Sequence, residues 1–498
     1  MDGVSVPGTW QHTRGPVTMP SMRYRRLSGT CQARTAVRAA SVAGLGGLLF
    51  GYDISLINSV AAALHTAFGI ANAVLGITAA ATLLGAAAGA ATAGRTADRI
   101  GRLPTLRLAA MLFAVCGLGS GLAATIWLVV LMRIVGGLGI GLISVVASAY
   151  IAEISPPNIR GRLSSLQQLA IVSGIFVSLV VNWLLTDLAG GPRAQFWGGL
   201  PAWRWMFFGE AVPAVLYGAL ACTIPESPRY LVAAQRIPEA RRVSAMLFGE
   251  RKADFTVKRI SETLRHEARP SWRDLRRPTG GLYGIVWVGV GMAVFQQFVG
   301  ITVIFFYSKP LWQAVGFGDS SSFAIAVLTA AVNVLTTVAA LALIDKTGRK
   351  PLLLTGSAGM AAMLATLTFV FVSAPVIDGQ AHLGDVSGPA ALIAATVFVI
   401  AFGFSWGPIL WVLLGEMFPN RIRAAALSLA AATQWTANGM ITVSFPALRH
   451  VLGLAYGFYT VCAMLSFLFV WKWVPETKGV ALEDMRAELP RTRKPAAR

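Results

Sequence analysis

Apolar runs of about twenty residues recur along this chain, and no other feature restricts its fold as much. A helix of that length spans a hydrocarbon core of about 30 Å. Twelve runs are read, near 41–64, 71–93, 105–124, 126–150, 163–186, 204–224, 281–308, 322–344, 351–373, 390–414, 424–448 and 452–474. Of the 498 residues, 55% are hydrophobic and only 13% charged, a balance far from that of a soluble enzyme. The expected fold is an all-α polytopic membrane protein with twelve transmembrane helices.

The net charge of +20 raises the question of a nucleic-acid partner, and its distribution answers it. Arginines crowd the N-terminal tail (Arg14, Arg23, Arg25, Arg26, Arg34, Arg38) and the loop after the second run (Arg95, Arg99, Arg102). The long loop after the sixth run carries Arg236, Arg241, Arg242, Arg251, Lys252 and Lys258. Loops 65–70, 187–203 and 374–389 are nearly free of Lys and Arg. This alternation follows the positive-inside rule and places both termini in the cytoplasm. The excess charge then faces the anionic inner leaflet. No P-loop and no aromatic interleaving of the basic residues supports an ATP or nucleic-acid role. Residues 1–40 have no apolar core, so they read as a basic cytosolic tail and not as a cleaved signal. Cys31, Cys116, Cys222 and Cys462 follow no metal or disulfide spacing and read as small apolar residues.

Three landmarks occur twice, about 250 residues apart. Asp98-Arg99-Ile-Gly101-Arg102 returns as Asp345-Lys-Thr-Gly348-Arg349, and Glu153-Ile-Ser-Pro-Pro-Asn-Ile-Arg160 as Glu416-Met-Phe-Pro-Asn-Arg-Ile-Arg423. Pro225-Glu226-Ser-Pro returns as Pro475-Glu476-Thr-Lys. The middle pair lies farther apart, which marks loop 374–389 as an insertion. The chain therefore reads as two pseudo-symmetric halves of six helices, at 41–229 and 281–475. Parallel halves are a transporter architecture, with the substrate site between them near the midplane. Segment 230–280 is a cytoplasmic helical linker, with Pro238 suited to a helix first turn, and 476–498 is a cytoplasmic tail.

Asp53 is the only carboxylate in the first apolar run. A charge at that depth costs about 3 kcal/mol or more, so such a residue is functional by default. An aspartate can shed the cost by taking up a proton, as a proton-coupled carrier requires. Asp53 lies about 18 Å from the inner end of its helix at 1.5 Å per residue. Arg133, about 10 Å from the outer end of a helix running the other way, falls at a comparable depth. An Arg–Asp pair there lowers the burial cost of both. Gln296 and Gln297 lie side by side near the midplane, where buried amides need partners. Asn333, Gln434 and Trp435 fall at similar depth, and Gln168 is the strong polar candidate of the first half. Gly407-Pro408, between Trp406 and Trp411, is a candidate helix break and hinge. Amides supply paired donors and acceptors and indole a flat apolar face for a small polar ligand.

In these motifs, together with Arg133-Ile-Val-Gly-Gly-Leu-Gly-Ile-Gly141, Pro225-Glu-Ser-Pro-Arg229, Gln296-Gln297-Phe-Val-Gly-Ile, Ser405-Trp-Gly-Pro408, Gln434-Trp435 and Pro475-Glu-Thr-Lys-Gly479, the chain resembles the sugar porter branch of the major facilitator superfamily. The match runs from about Ala43 to Met485. The resemblance implies proton coupling through Asp53 with Arg133, since facilitative relatives commonly carry Asn at the first position. It implies sugar contacts for Gln168, Gln296, Gln297, Asn333, Trp406, Gln434 and Trp435, with Asn438 at the edge. It also implies an inner gate of ion pairs from Asp98, Arg99, Arg102, Glu153, Arg160, Arg162, Asp345, Arg349, Glu416 and Arg423. Orientation alone requires only Lys and Arg, so the carboxylates favour a gate over topology. Two departures bear on the sugar. The family's Gly-Ile-Asn is here Gly300-Ile301-Thr302, and the Tyr-Tyr that follows is Phe306-Tyr307; Thr302 keeps a hydroxyl at the site. A second glutamine that some members of the family carry on the fifth run, seven residues after the first, is here Ile175.

The expected function is import of a monosaccharide, hexose or pentose, coupled to protons by alternating access. A polyol or inositol–proton symporter and a proton-independent facilitator are the alternatives on the same fold. A non-transporting sugar sensor would need a signalling extension, and a drug–proton exporter would lack the paired amides. No nucleophile–base constellation points to an enzyme, and no cofactor or metal is called for. The partners expected are a sugar, a proton and the bilayer of the inner (plasma) membrane, with the chain a monomer.

Overall fold

A computed structural model describes residues 29–156, 159–266, 275–277, 280–306, 319–377, 380–381, 383–384, 386–419, 422–448 and 451–478. Among them the chain is helical, apart from an antiparallel hairpin of two-residue strands, Val376–Ile377 (β1) and Gln380–Ala381 (β2), within the insertion loop. Among the described residues, ten helical spans are long and apolar enough to cross a membrane. Their outer surfaces expose large apolar side chains, such as Leu84, Leu335, Phe369 and Val372, as contact with lipid tails requires.

The first repeat contains α1 (Gly29–Gly44), α2 (Gly46–Phe68), α3 (Asn72–Ile100), α4 (Arg102–Gly121), α5 (Ile126–Ile154), α6 (Arg160–Ala189) and α7 (Ala202–Leu220). Helix α1 starts inside the segment read as a tail. Its Ala36, Ala39 and Ala40 are buried, and it packs on α5 and α6. Glycines let helices approach backbone to backbone. Gly85 and Gly89 of α3 interleave with Gly137 and Gly141 of α5, where any Cβ would strike a carbonyl oxygen of the partner helix. Gly47 and Gly51 of α2 do the same against Gln167 and Ile171 of α6. Both pairs use the four-residue small-residue spacing of close helix packing in membranes.

Three short helices follow: α8 (Pro228–Ala233), α9 (Ile237–Phe248, with Pro238 in its first turn) and α10 (Glu250–His266). The second repeat contains α11 (Gly284–Phe298), α12 (Ile301–Phe306), α13 (Asp319–Thr347), α14 (Arg349–Ser373), α15 (Ser387–Gly403), α16 (Trp406–Met417), α17 (Arg423–Leu448) and α18 (Leu452–Trp473). Two runs expected to be single helices are broken. The first breaks at Gly300, whose φ of 84° is open to glycine, and α12 restarts there. The second breaks at Phe404–Ser405, earlier than the expected hinge at Gly407-Pro408. Proline has no N–H for the carbonyl four residues back, so Pro408 fits the first turn of a new helix and the break falls before it.

Candidate functional site

A cleft with about 570 Å³ of empty space, open solvent included, lies between the two repeats. Its two walls differ in chemistry. The second repeat contributes Gln296, Gln297, Thr302, Asn333, Gln434 and Asn438, with Phe402 and Trp411. From the first repeat come Phe50, Ile54, Ile171, Val172 and Ile175, with Gln168 as its polar member. Seven of the residues read from the sequence are thus brought together here. The other two, Trp406 and Trp435, are fully buried outside the lining. Trp406 Nε1 donates to Ser357 Oγ at 2.8 Å, and Trp435 Nε1 to Ser144 Oγ at 3.3 Å. Trp435 also meets Phe50 edge-on, with ring centroids 4.8 Å apart. Each indole has its polar tip satisfied inside the protein, so both support the wall from behind. The exposed aromatic faces are those of Phe50, Phe402 and Trp411.

The amides form a connected set. Gln434 Nε2 donates to Gln296 Oε1 at 2.8 Å, and Gln297 Nε2 donates to the same oxygen at 3.2 Å. Gln296 Nε2 donates to the Trp406 carbonyl at 3.1 Å, across the break before α16. Thr302 Oγ1 donates to Gln297 Oε1 at 2.8 Å. Two buried acceptors remain, Gln434 Oε1 and Asn333 Oδ1, without a partner among the described residues. Acceptors in that state seek hydroxyl donors.

Beside the cleft, Asp53 of α2 and Arg133 of α5 form an ion pair, both fully buried. The guanidinium also lies over the Phe207 ring, 5.7 Å from its centroid. Glu210 of α7 stands next to the pair, with carboxylate oxygens of Asp53 and Glu210 within 4.8 Å of each other. Arg133 pairs with Asp53 alone, and the Glu210 carboxylate beside it has no hydrogen-bond partner among the described residues. Sequence reasoning missed Glu210, although it is the only carboxylate in its apolar run and the default applied to Asp53 would have found it.

At the inner ends of the helices the sequence repeat becomes a repeat of bonds. Arg102 pairs with Asp98 at 3.0 Å and with Glu153 at 3.1 Å; Arg349 pairs with Asp345 at 3.2 Å and with Glu416 at 3.0 Å. Ser227 donates to Glu153, as Thr477 does to Glu416 at 2.7 Å. Glu226 accepts from the backbone N–H groups of Arg102 and Leu103, as Glu476 does from Arg349 and Lys350. Each glutamate caps the first turn of α4 or α14, where helix N–H groups lack partners. Burial pushes the Glu226 carboxyl up, and its backbone donors act against that. The repeats touch through Arg162 of α6, which pairs with Asp345 at 3.5 Å. Gly161 lets them approach there, since a Cβ would strike Asp345 and Arg349. Arg423 donates to the Phe418 carbonyl at 2.9 Å and so closes the end of α16. Arg99 is exposed and outside the ion pairs of the described residues, and the side chain of Arg160 lies outside those residues. Tyr307 and the tail arginines up to Arg26 also lie outside what the structure describes, as does the side chain of Cys31.

A helical membrane bundle with a polar cleft between two repeats and a buried acid pair beside it has the make-up of a membrane carrier. The family model for sugar (and other) transporters matches residues 39–489, and the chain belongs to that family. The glucose transport protein of Synechocystis sp. is 49% identical over 92% of this chain and 98% of its own length. The D-xylose-proton symporter of Escherichia coli is 35% identical over 90% of this chain and 94% of its own. The solved structure of a major facilitator superfamily proton:xylose symporter bound to 6-bromo-6-deoxy-D-glucose superposes with a TM-score of 0.81 at 34% identity, covering 91% of this chain and 99% of the other. The family and these relatives are transporters, and the chain is a transporter, not an enzyme.

Proposed function

We propose that the chain is a secondary active transporter that imports a monosaccharide together with protons by alternating access. The observation that carries this reading is the buried Asp53–Arg133 pair with Glu210, set beside a cleft whose amide acceptors await hydroxyl donors. Asp53, Glu210 and Arg133 couple the proton. Gln168, Gln296, Gln297, Thr302, Asn333, Gln434 and Asn438 bind the sugar, and Trp406 and Trp435 hold the walls. Sugar–proton symporters among the relatives support the coupling. The glucose transport protein and the apolar Ile175 favour a hexose over a pentose.

In this reading twelve helices cross the membrane, six in each half. Helices α7 and α17 complete the count; α7 packs on α4 and α17 on α3 and α11. Segment 230–280 is a cytoplasmic linker, and both termini face the cytoplasm of the inner membrane, as the Lys and Arg distribution requires. The clusters of Asp98, Arg102 and Glu153 and of Asp345, Arg349 and Glu416 form the inner gate. Arg162 joins the halves there while the gate is shut.

The test is uptake of a panel of labelled sugars into proteoliposomes, with and without an inward proton gradient, for wild type and Asp53→Asn. The expected result is accumulation driven by the gradient in wild type, lost in the variant while exchange across equal sugar concentrations continues. Uptake indifferent to the gradient would make the protein a facilitator and reduce Asp53 to a structural partner of Arg133.

A further inference from the structure

The surroundings of Asp53 include a third proton-bearing group. Cys116 lies on α4 and is fully buried. Its Sγ and the nearest carboxylate oxygens of Asp53 and Glu210 all lie within 4.8 Å of one another. Two close approaches fix the sulfur. Gly117 brings α4 onto α7, where a Cβ would fall 2.8 Å from the Phe207 carbonyl and 3.3 Å from Glu210 Cβ. Gly136, on α5 just past Arg133, presses on the thiol from another side, where a Cβ would fall 2.6 Å from Sγ. Helix α5 thus closes one face of the sulfur while α7 presents Glu210 to it. The titratable groups around this point are Tyr52 and Asp53 of α2, Cys116 of α4, Arg133 of α5 and Glu210 of α7. The facing stretches of α3 and α6 contain none. Arg133 is committed to Asp53, and neither Glu210 oxygen has a hydrogen-bond partner among the described residues. A buried carboxylate needs a donor, and a small uncharged thiol is one.

We propose that Cys116 is a positioning residue of the proton site, its thiol donating to the Glu210 carboxylate and holding it beside Asp53. This rests on the proton-coupled reading above. The thiol keeps its proton throughout, so no bond breaks and no redox partner is involved.

Two measurements on the full chain test it. The first is the infrared S–H stretch of the purified protein, with the Cys116 band assigned by its loss in Cys116→Ser. The expected band lies at lower frequency than that of a thiol without a hydrogen bond and moves towards that position in Glu210→Gln. The second is the ratio of gradient-driven sugar accumulation to exchange in proteoliposomes. Cys116→Ala lowers the ratio about fivefold, the effect of losing one modest hydrogen bond, and Cys116→Ser, which keeps a donor, restores it. A Cys116 band at the free-thiol position that ignores Glu210→Gln overturns the proposal, and so does a wild-type ratio in Cys116→Ala. A wild type that never accumulates sugar defeats the proton-coupled reading instead, and the infrared bands still decide whether the thiol bonds to Glu210.

Discussion

Replacing Arg162 with alanine measures how firmly the inner ends of the two repeats are held together. The guanidinium reaches Asp345 across the repeats at 3.5 Å, with the arginine side chain 47% exposed and the aspartate 16%. Asp345 keeps its second partner, Arg349, at 3.2 Å, so the substitution leaves no uncompensated buried charge. The loss is therefore that of a solvated pair, about 0.2–1 kcal/mol. At about 1.4 kcal/mol per factor of ten, the inner ends of the repeats should part between about 1.4 and five times more often. Amide hydrogen exchange at the start of α6 and the end of α13 reads that change directly, because exchange there follows local opening. Salt supplies an internal control. Raising ionic strength from 0.01 M to 1 M shortens the screening length from about 30 Å to about 3 Å. Wild-type exchange should then approach that of the variant, while the variant changes little. A tenfold or larger rise, or a rise that salt leaves untouched, would refute the assignment of a weak, solvated latch and point to a buried structural role.

Glu226→Ala removes the acceptor of the Arg102, Leu103 and Ser227 N–H groups at the base of α4. At about 1–3 kcal/mol for an orphaned buried group, it should lower the thermal midpoint in detergent, and Glu476→Ala should match it through α14. Unequal effects would show that the repeated bonds are not equivalent. Gly51→Val places a side chain against the Ile171 backbone, which cannot yield, and should prevent recovery of folded protein in a detergent size-exclusion profile. Gly76→Ala has open space and should raise stability by up to about 1 kcal/mol through helix propensity. Gln434→Leu deletes a cleft acceptor and the 2.8 Å bond to Gln296, and should weaken sugar binding in titration calorimetry about tenfold or more. Trp406→Phe, behind the wall, should weaken it by less than threefold, and equal losses would place the indole in contact with sugar.

Much was legible in the residues because the membrane leaves few options. Runs of twenty apolar residues become helices, and Lys and Arg mark the side they face. The twice-written Asp-x-x-Gly-Arg, Glu and Pro-Glu landmarks became two matching networks, since like residues at like helix ends meet like partners. Asp53 and Arg133 could be paired from depth alone, because rise along a helix converts position into height.

What height leaves open is rotation. Lipid tails and the protein interior are both apolar, so a helix such as α15 or α18 does not declare which face turns inward. Only tertiary packing shows that Glu210 and Cys116 turn towards Asp53, and that Trp411 faces the cleft while Trp406 and Trp435 turn away. Chain order and side chemistry thus determined by themselves that this protein is a repeated helical bundle with a buried acid at mid-depth. The rotation of each helix, set where Gly51, Gly117 and Gly136 let neighbouring helices close, decided which side chains gather around Asp53 and which line the cleft.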